Sequence, residues 1–285
     1  MRCRHGPRKP DPMHRASTMN ALTHTHAVVT GASQGLGLAM TKALLARGAR
    51  VTAIARSKDR LDAARQLGAT TLAGDATDAE LMNRVVADQQ PDVLILNAGA
   101  RLAMKPIDAQ SWEEFSAMWN TDVKAGLVGM QAALNTPLKP GARVLAMSSG
   151  ASMVMSVPFI APASLRLSGG YVGAKRMLWF MAHQANTVSR ERGLGLHFQV
   201  LVPGQVIPGT ALGHEVASAY ARLEGVSAEQ HVRDRYGSIL APDRFGEMVA
   251  DLLAEPRHAG GVAYGFRADA GIFPLDLPTP TRTEA

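Results

Sequence analysis

Thr30-Gly31-Ala32-Ser33-Gln34-Gly35-Leu36-Gly37 joins a short apolar run at residues 27–30 to a stretch with Leu36, Met40, Ala43 and Leu44 at helical spacing. A strand that enters a helix through glycines lets backbone N–H groups come close to an anion. The positive end of the helix dipole then faces the same anion. The spacing is G-x-x-x-G-x-G rather than the more familiar G-x-G-x-x-G. Glycine turns also occur simply to let a helix pack tightly on its sheet, so this turn alone does not settle a ligand.

Outward from the turn, further strand-like runs fall at residues 50–55, 70–73, 92–96, 143–147, 196–201 and 261–264. Segments of helical spacing lie between most of them, such as Leu61, Ala64 and Leu67. Strand–helix alternation predicts a parallel sheet with helices on both faces. The expectation is a single doubly wound, Rossmann-type α/β domain over residues 23–273, with about seven parallel strands. Residues 1–22, broken by Pro7, Pro10 and Pro12, read as a disordered tail, and residues 274–285 as a second tail rich in proline and threonine.

Composition excludes several classes. The chain of 285 residues is 46% hydrophobic and 19% charged, which suits a soluble protein with a full core. No run approaches the ~20 unbroken apolar residues of a membrane helix. Cys3 is the only cysteine, so neither an internal disulfide nor a thiolate zinc cage can form. Of the net charge of +6, the first 22 residues supply +4, from Arg2, Arg4, Arg8, Lys9 and Arg15 against Asp11. The basicity is thus a tail property, and no nucleic-acid partner is expected. An Arg-rich, acid-poor tail also suits a mitochondrial presequence, but it lacks an apolar face; a cytoplasmic location is the expectation. His24 and His26 have no ligand cluster around them, so no metal is expected.

The second strand ends Ile54-Ala55-Arg56-Ser57. An acid here would bond the ribose hydroxyls of NAD, whereas an arginine can pair with the additional phosphate of NADP. Arg56 therefore points to NADP(H), with NAD(H) as the second candidate. Asp75, with Ala76 beside it, is placed to meet an adenine amino group or to cap the next helix. Asn97-Ala98-Gly99 closes the fourth strand with small residues. Tyr171-Val172-Gly173-Ala174-Lys175 puts a phenol and an ammonium at i and i+4, on one helix face. A fixed cation beside a phenol favours phenolate, as a general acid/base for a carbonyl/alcohol pair requires.

These motifs, in this order, with Ser148-Ser149 ending a strand and Pro203-Gly204 after the next, resemble the short-chain dehydrogenase/reductase family from about residue 25 to 265. The resemblance implies hydride transfer between a nicotinamide and a small carbonyl or alcohol. It implies Tyr171 as proton donor or acceptor, Lys175 on the nicotinamide ribose and Ser149 on the substrate oxygen. Thr30, Gly31, Ser33, Gln34, Gly35, Leu36 and Gly37 would form the cofactor turn. Pro203, Gly204 and Val206 would carry the nicotinamide amide, and Thr210 would touch the phosphates. A homodimer or homotetramer is implied, with Trp179, Phe180 and Met181 facing partly outward, and a helical lid near residues 210–241.

Two departures stand out. Where the family usually places an asparagine, Met118-Trp119-Asn120-Thr121-Asp122-Val123-Lys124 puts Asp122, which makes Asp122 a candidate catalytic residue. An ionised Asp122 would favour a charged Lys175 and oppose phenolate at Tyr171. Ser149 also precedes Tyr171 by 22 positions, more than the resemblance implies. The additional segment carries Met153, Val154, Met155, Val157, Phe159 and Ile160, and would wall a pocket for a lipophilic substrate. It leaves Ser148, Ser152 and Ser168 as rivals to Ser149. The alternative reading is a non-enzymatic NAD(P)(H)-binding regulatory module on the same fold.

Overall fold

The computed structural model describes residues 21–156 and 167–276. Seven strands run parallel: β1 (His26–Thr30), β2 (Arg50–Ala55), β3 (Thr70–Ala73), β4 (Val93–Leu96), β5 (Arg143–Met147), β6 (His197–Pro203) and β7 (Ala263–Arg267). An eighth, β8 (Gly271–Pro274), pairs antiparallel with β7, Gly265 facing Phe273. The sheet order is β3-β2-β1-β4-β5-β6-β7-β8. The doubly wound fold is thus as the sequence led us to expect, with one more strand formed beyond the tight turn before Gly271, whose φ is +71°. The last parallel strand starts two residues later than the apolar run at 261–264 suggests.

The helices are α1 (Gly35–Ala46), α2 (Asp62–Gln66), α3 (Ala79–Gln89), α4 (Trp112–Met118), α5 (Lys124–Asn135), α6 (Tyr171–Glu191), α7 (Ala211–Glu224), α8 (Ala228–Tyr236) and α9 (Pro242–Ala254). A π-helical turn, Trp119–Val123, links α4 to α5. The central strands are buried along their whole length, because helices cover both faces. One core packs Met40, Leu44, Phe245 and Met248 against the sheet, and the other packs Met82, Met130, Leu178 and Phe198. Helices α1 and α9 cross so closely that a Cβ on Gly246 would lie 2.4 Å from the Ala39 carbonyl. Phe245 and Phe266 meet with centroids 5.0 Å apart, locking α9 to β7. Trp179 and Met181 belong to the second core, so of the three residues expected to face outward only Phe180 is largely exposed, at 56%.

Chain order fixes where a ligand can enter. From β1 the chain moves outward through β2 and β3, then returns to lay β4 on the other side of β1. Adjacent loops diverge at that reversal and open a crevice at the carboxyl ends of the strands.

Candidate active site

The glycine turn is built as the sequence suggests. Gly31 and Gly35 have φ of +67° and +56°, a region open mainly to glycine. A Cβ on Gly37 would sit 2.2 Å from the Gly31 carbonyl, so α1 can approach the turn only without a side chain there. The buried Thr30 hydroxyl donates to Ile95 O at 3.2 Å and accepts from the N–H groups of Asn97 and Ala98 at 3.0 and 3.2 Å. Asn97 Nδ2 in turn donates to the carbonyls of Thr30 and Gly31 at 3.1 and 3.2 Å. Thr30 and Asn97 thus tie the turn to the end of β4. No side chain caps α1 at Gln34, and its first turn holds no acid. Its N–H groups remain open to an anion, so the turn fits a diphosphate.

The crevice has a volume of about 1290 Å³. Every cofactor or catalytic residue proposed from the sequence lines it, except Thr30 and Gly37, which act from behind. At one end lie Arg56, Ser57 and Arg60, with Ala55 at the strand end where an acid would exclude a phosphate. The Asp75 carboxylate accepts from Thr77 N at 2.9 Å, and this bond, with Arg56 nearby, holds its pKa below the ordinary carboxylate value. It does not cap α3, as one reading of the sequence had it: Asp78 does, accepting from the N–H groups of Glu80 and Leu81. Thr210 caps α7 by accepting from Gly213 N at 2.9 Å, while its methyl faces Gly35.

Further along the crevice, Tyr171 opens α6 and lies 9% exposed. Lys175 Nζ sits 5.8 Å from its ring centroid. Nζ donates to Met147 O at 3.0 Å and meets Asp122 Oδ2 at 2.7 Å. Asp122 Oδ1 accepts from Ala100 N at 2.7 Å. Both charged side chains are buried, at 5% and 3% exposure. Burial alone would lower the lysine pKa; the Asp122 carboxylate, aided by Tyr171, outweighs it and leaves the pKa above the ordinary value. The π-helical turn carries Asp122 inward, while Asn120 is exposed and bonds Ser116 at 3.3 Å. Gly99 leaves room for the carboxylate, since a Cβ there would lie 3.0 Å from Oδ2.

The serines separate by their bonding. Ser148 Oγ donates to Lys175 O at 2.8 Å and Ser152 Oγ donates to Ser149 O at 2.7 Å, so both protons are used within the fold. Ser149 Oγ accepts from Ala151 N at 3.2 Å and lines the crevice, which leaves its own O–H to donate outward. Ser168 also lines the crevice and remains a second hydroxyl there. Of the long apolar loop, Met153 reaches the crevice wall; Val157, Phe159 and Ile160 lie outside the described residues.

Sequence reasoning missed Arg60, which lies on the short 3-10 turn Asp59–Leu61 after β2, and the walls formed by Leu102, Met104, Leu212 and Val216. Among the described residues no helix is long and apolar enough to cross a membrane, and no cluster of three or more His, Cys, Asp or Glu could hold a metal ion.

Fold and crevice together define a Rossmann-type protein with its site at the sheet's topological switch point. The family model described as short chain dehydrogenase matches residues 25–164. An uncharacterized oxidoreductase of Staphylococcus aureus (strain N315) is 35% identical over 130 residues, 42% of this chain and 56% of that protein. The chain spans about half or less of the length of the first curated relatives it matches. A Burkholderia cenocepacia short chain dehydrogenase solved with NADP superposes with a TM-score of 0.64 at 22% identity, covering 87% of this chain and 96% of that one. A variant actinorhodin polyketide ketoreductase solved with NADPH gives 0.68 at 21% identity, covering 87% and 97%. Over residues 25–164 the chain matches the short-chain dehydrogenase/reductase family of oxidoreductases that its motifs resemble.

Proposed function

We propose that this protein reduces a lipophilic ketone or aldehyde to the alcohol with NADPH, adding one hydride and one proton across the C=O bond. The observation that carries this reading is the buried grouping of Tyr171, Lys175 and Asp122 on one wall of the crevice, beside Ser149. Bound NADP(H) supplies the hydride. The open N-terminus of α1 and its glycine turn hold the diphosphate, and Arg56 and Arg60 take the additional phosphate as charge-assisted partners. Ser149 donates a hydrogen bond to the substrate oxygen, and Tyr171 delivers its phenolic proton as negative charge develops there.

Asp122 tempers the charge that Lys175 presents to Tyr171. A lone ammonium would favour phenolate, but a lysine already paired at 2.7 Å with a carboxylate presents little net charge to Tyr171. Tyr171 then donates its proton in reduction and would accept one in the reverse reaction. Lys175 remains fixed on Met147 O and Asp122, in position to orient the ribose.

The test is a panel of ketones and aldehydes assayed separately with NADPH and NADH, following cofactor absorbance. NADPH oxidation dependent on the carbonyl compound is expected, with NADH markedly poorer. Tight NADPH binding without turnover of any carbonyl would favour the regulatory-module reading instead.

A further inference from the structure

The crevice continues well past Tyr171, and its chemistry changes along the way. Leu212, Val216, Tyr220 and Glu224 recur every four residues on α7, so they form one stripe along the helix, and all four line the crevice. The stripe spans about 18 Å at 1.5 Å per residue. Its first two members pack in the small core that contains Tyr171, Leu102 and Met104. Its last two are polar, and α8 closes that end with His231 and Arg235, also four residues apart.

The polar end is ordered by its own contacts. His231 is buried, stacks on Tyr220 with centroids 5.9 Å apart and planes at 15°, and meets Glu224 Oε2 through Nδ1 at 2.5 Å. Tyr220 accepts a hydrogen bond from the Leu167 backbone N–H; burial, first of all, raises its pKa, while that bond and the Arg235 charge nearby act the other way. The Glu224 carboxylate is therefore engaged by the imidazole. The other cations on this side are also engaged: Arg101 pairs with Glu215 at 3.1 Å and Arg267 with Asp269 at 2.9 Å. Arg235 makes no carboxylate pair among the described residues, its guanidinium lying 5.8 Å from the Tyr236 ring centroid.

We infer that Arg235 is the anchor for an anionic group at the far end of the substrate, so that the substrate is an elongated amphipathic carbonyl compound bearing a carboxylate. The apolar body lies along Leu212 and Val216, and the carboxylate meets the guanidinium beside Tyr220. This inference rests on the crevice being the substrate site proposed above, and it adds the class of substrate.

The experiment uses the NADP⁺-loaded full chain, with dodecanoate and methyl dodecanoate as probes in equilibrium binding. Dodecanoate is expected to bind about tenfold more tightly than its ester, as one charge-assisted contact would give. Arg235→Gln should abolish that difference while leaving ester binding unchanged, and Arg235→Lys should restore part of it. Equal binding of the two probes by the wild-type chain, no binding of either, or an Arg235→Gln variant that weakens both alike would overturn the inference. A parallel assay with NADPH and a mid-chain keto acid keeps the two readings apart. Selective dodecanoate binding without turnover counts against the oxidoreductase reading alone. Turnover with no carboxylate preference counts against the Arg235 anchor alone.

Discussion

Asp122 Oδ2 lies 2.7 Å from Lys175 Nζ, and the two form an ion pair almost wholly removed from water. Taking one partner away from such a pair leaves a buried charge without compensation. Asp122→Ala should therefore destabilise the fold by about 3–5 kcal/mol, measured by denaturant unfolding, and Asp122→Asn by less, because the amide can still bond Nζ.

The same pair sets a pH prediction for the reaction. In Asp122→Asn the lysine charge is no longer offset, which favours phenolate at Tyr171. Alcohol oxidation should then reach half its maximal rate at a lower pH than in the wild type, while reduction near neutrality changes little. Superimposable pH–rate profiles would remove Asp122 from the proton chemistry.

Cofactor choice should reside in Arg56 and Arg60, which line the crevice where β2 ends in Ala55. Arg56→Ala should raise the KM for NADPH roughly tenfold or more with little effect on NADH, since the lost contact is to a group that NADH lacks. An equal rise for both cofactors would assign Arg56 to general packing.

Histidine burial gives a stability signature. His26 bonds the Gln89 carbonyl through Nδ1 and Thr52 Oγ1 through Nε2, a pattern that suits the neutral ring. Burial, first of all, lowers its pKa in the folded chain. Below about pH 6.5 the unfolded chain takes up this proton more readily than the folded one. Stability should fall as the pH drops through that value and level off below the folded pKa. Melting temperatures across pH 5 to 8 should show a shallower acid decline for His26→Gln than for the wild type.

Arg143 offers a test away from the crevice. Burial pushes its pKa down to about 10, and it donates to Gln199 Oε1 at 2.7 Å and to the Leu252 carbonyl at 3.1 Å, near the end of α9. Arg143→Met should cost about 1–3 kcal/mol for each acceptor left unsatisfied, without altering cofactor selectivity.

The strands were legible because a sheet covered on both faces needs short, continuous apolar runs, and Val93–Leu96 and Arg143–Met147 carry such runs. The glycine turn was legible because only glycine fits at Gly31 and Gly37. The influence of Asp122 on Lys175 could be anticipated by alignment, but not the π-helical turn that swings it inward, which has no mark in Trp119-Asn120-Thr121-Asp122-Val123. The stripe on α7 stayed hidden because alanines between Leu212 and Glu224 blur its period, and β8 because four residues next to a glycine turn carry little signal.

The most direct measurement compares kcat/KM for NADPH-dependent carbonyl reduction by the wild type and by Tyr171→Phe, together with the NADPH dissociation constant of each. If the Tyr171 hydroxyl delivers the proton, kcat/KM falls by about 10²–10⁴ while NADPH binds as before. A phenylalanine variant that turns over at the wild-type rate would contradict the account.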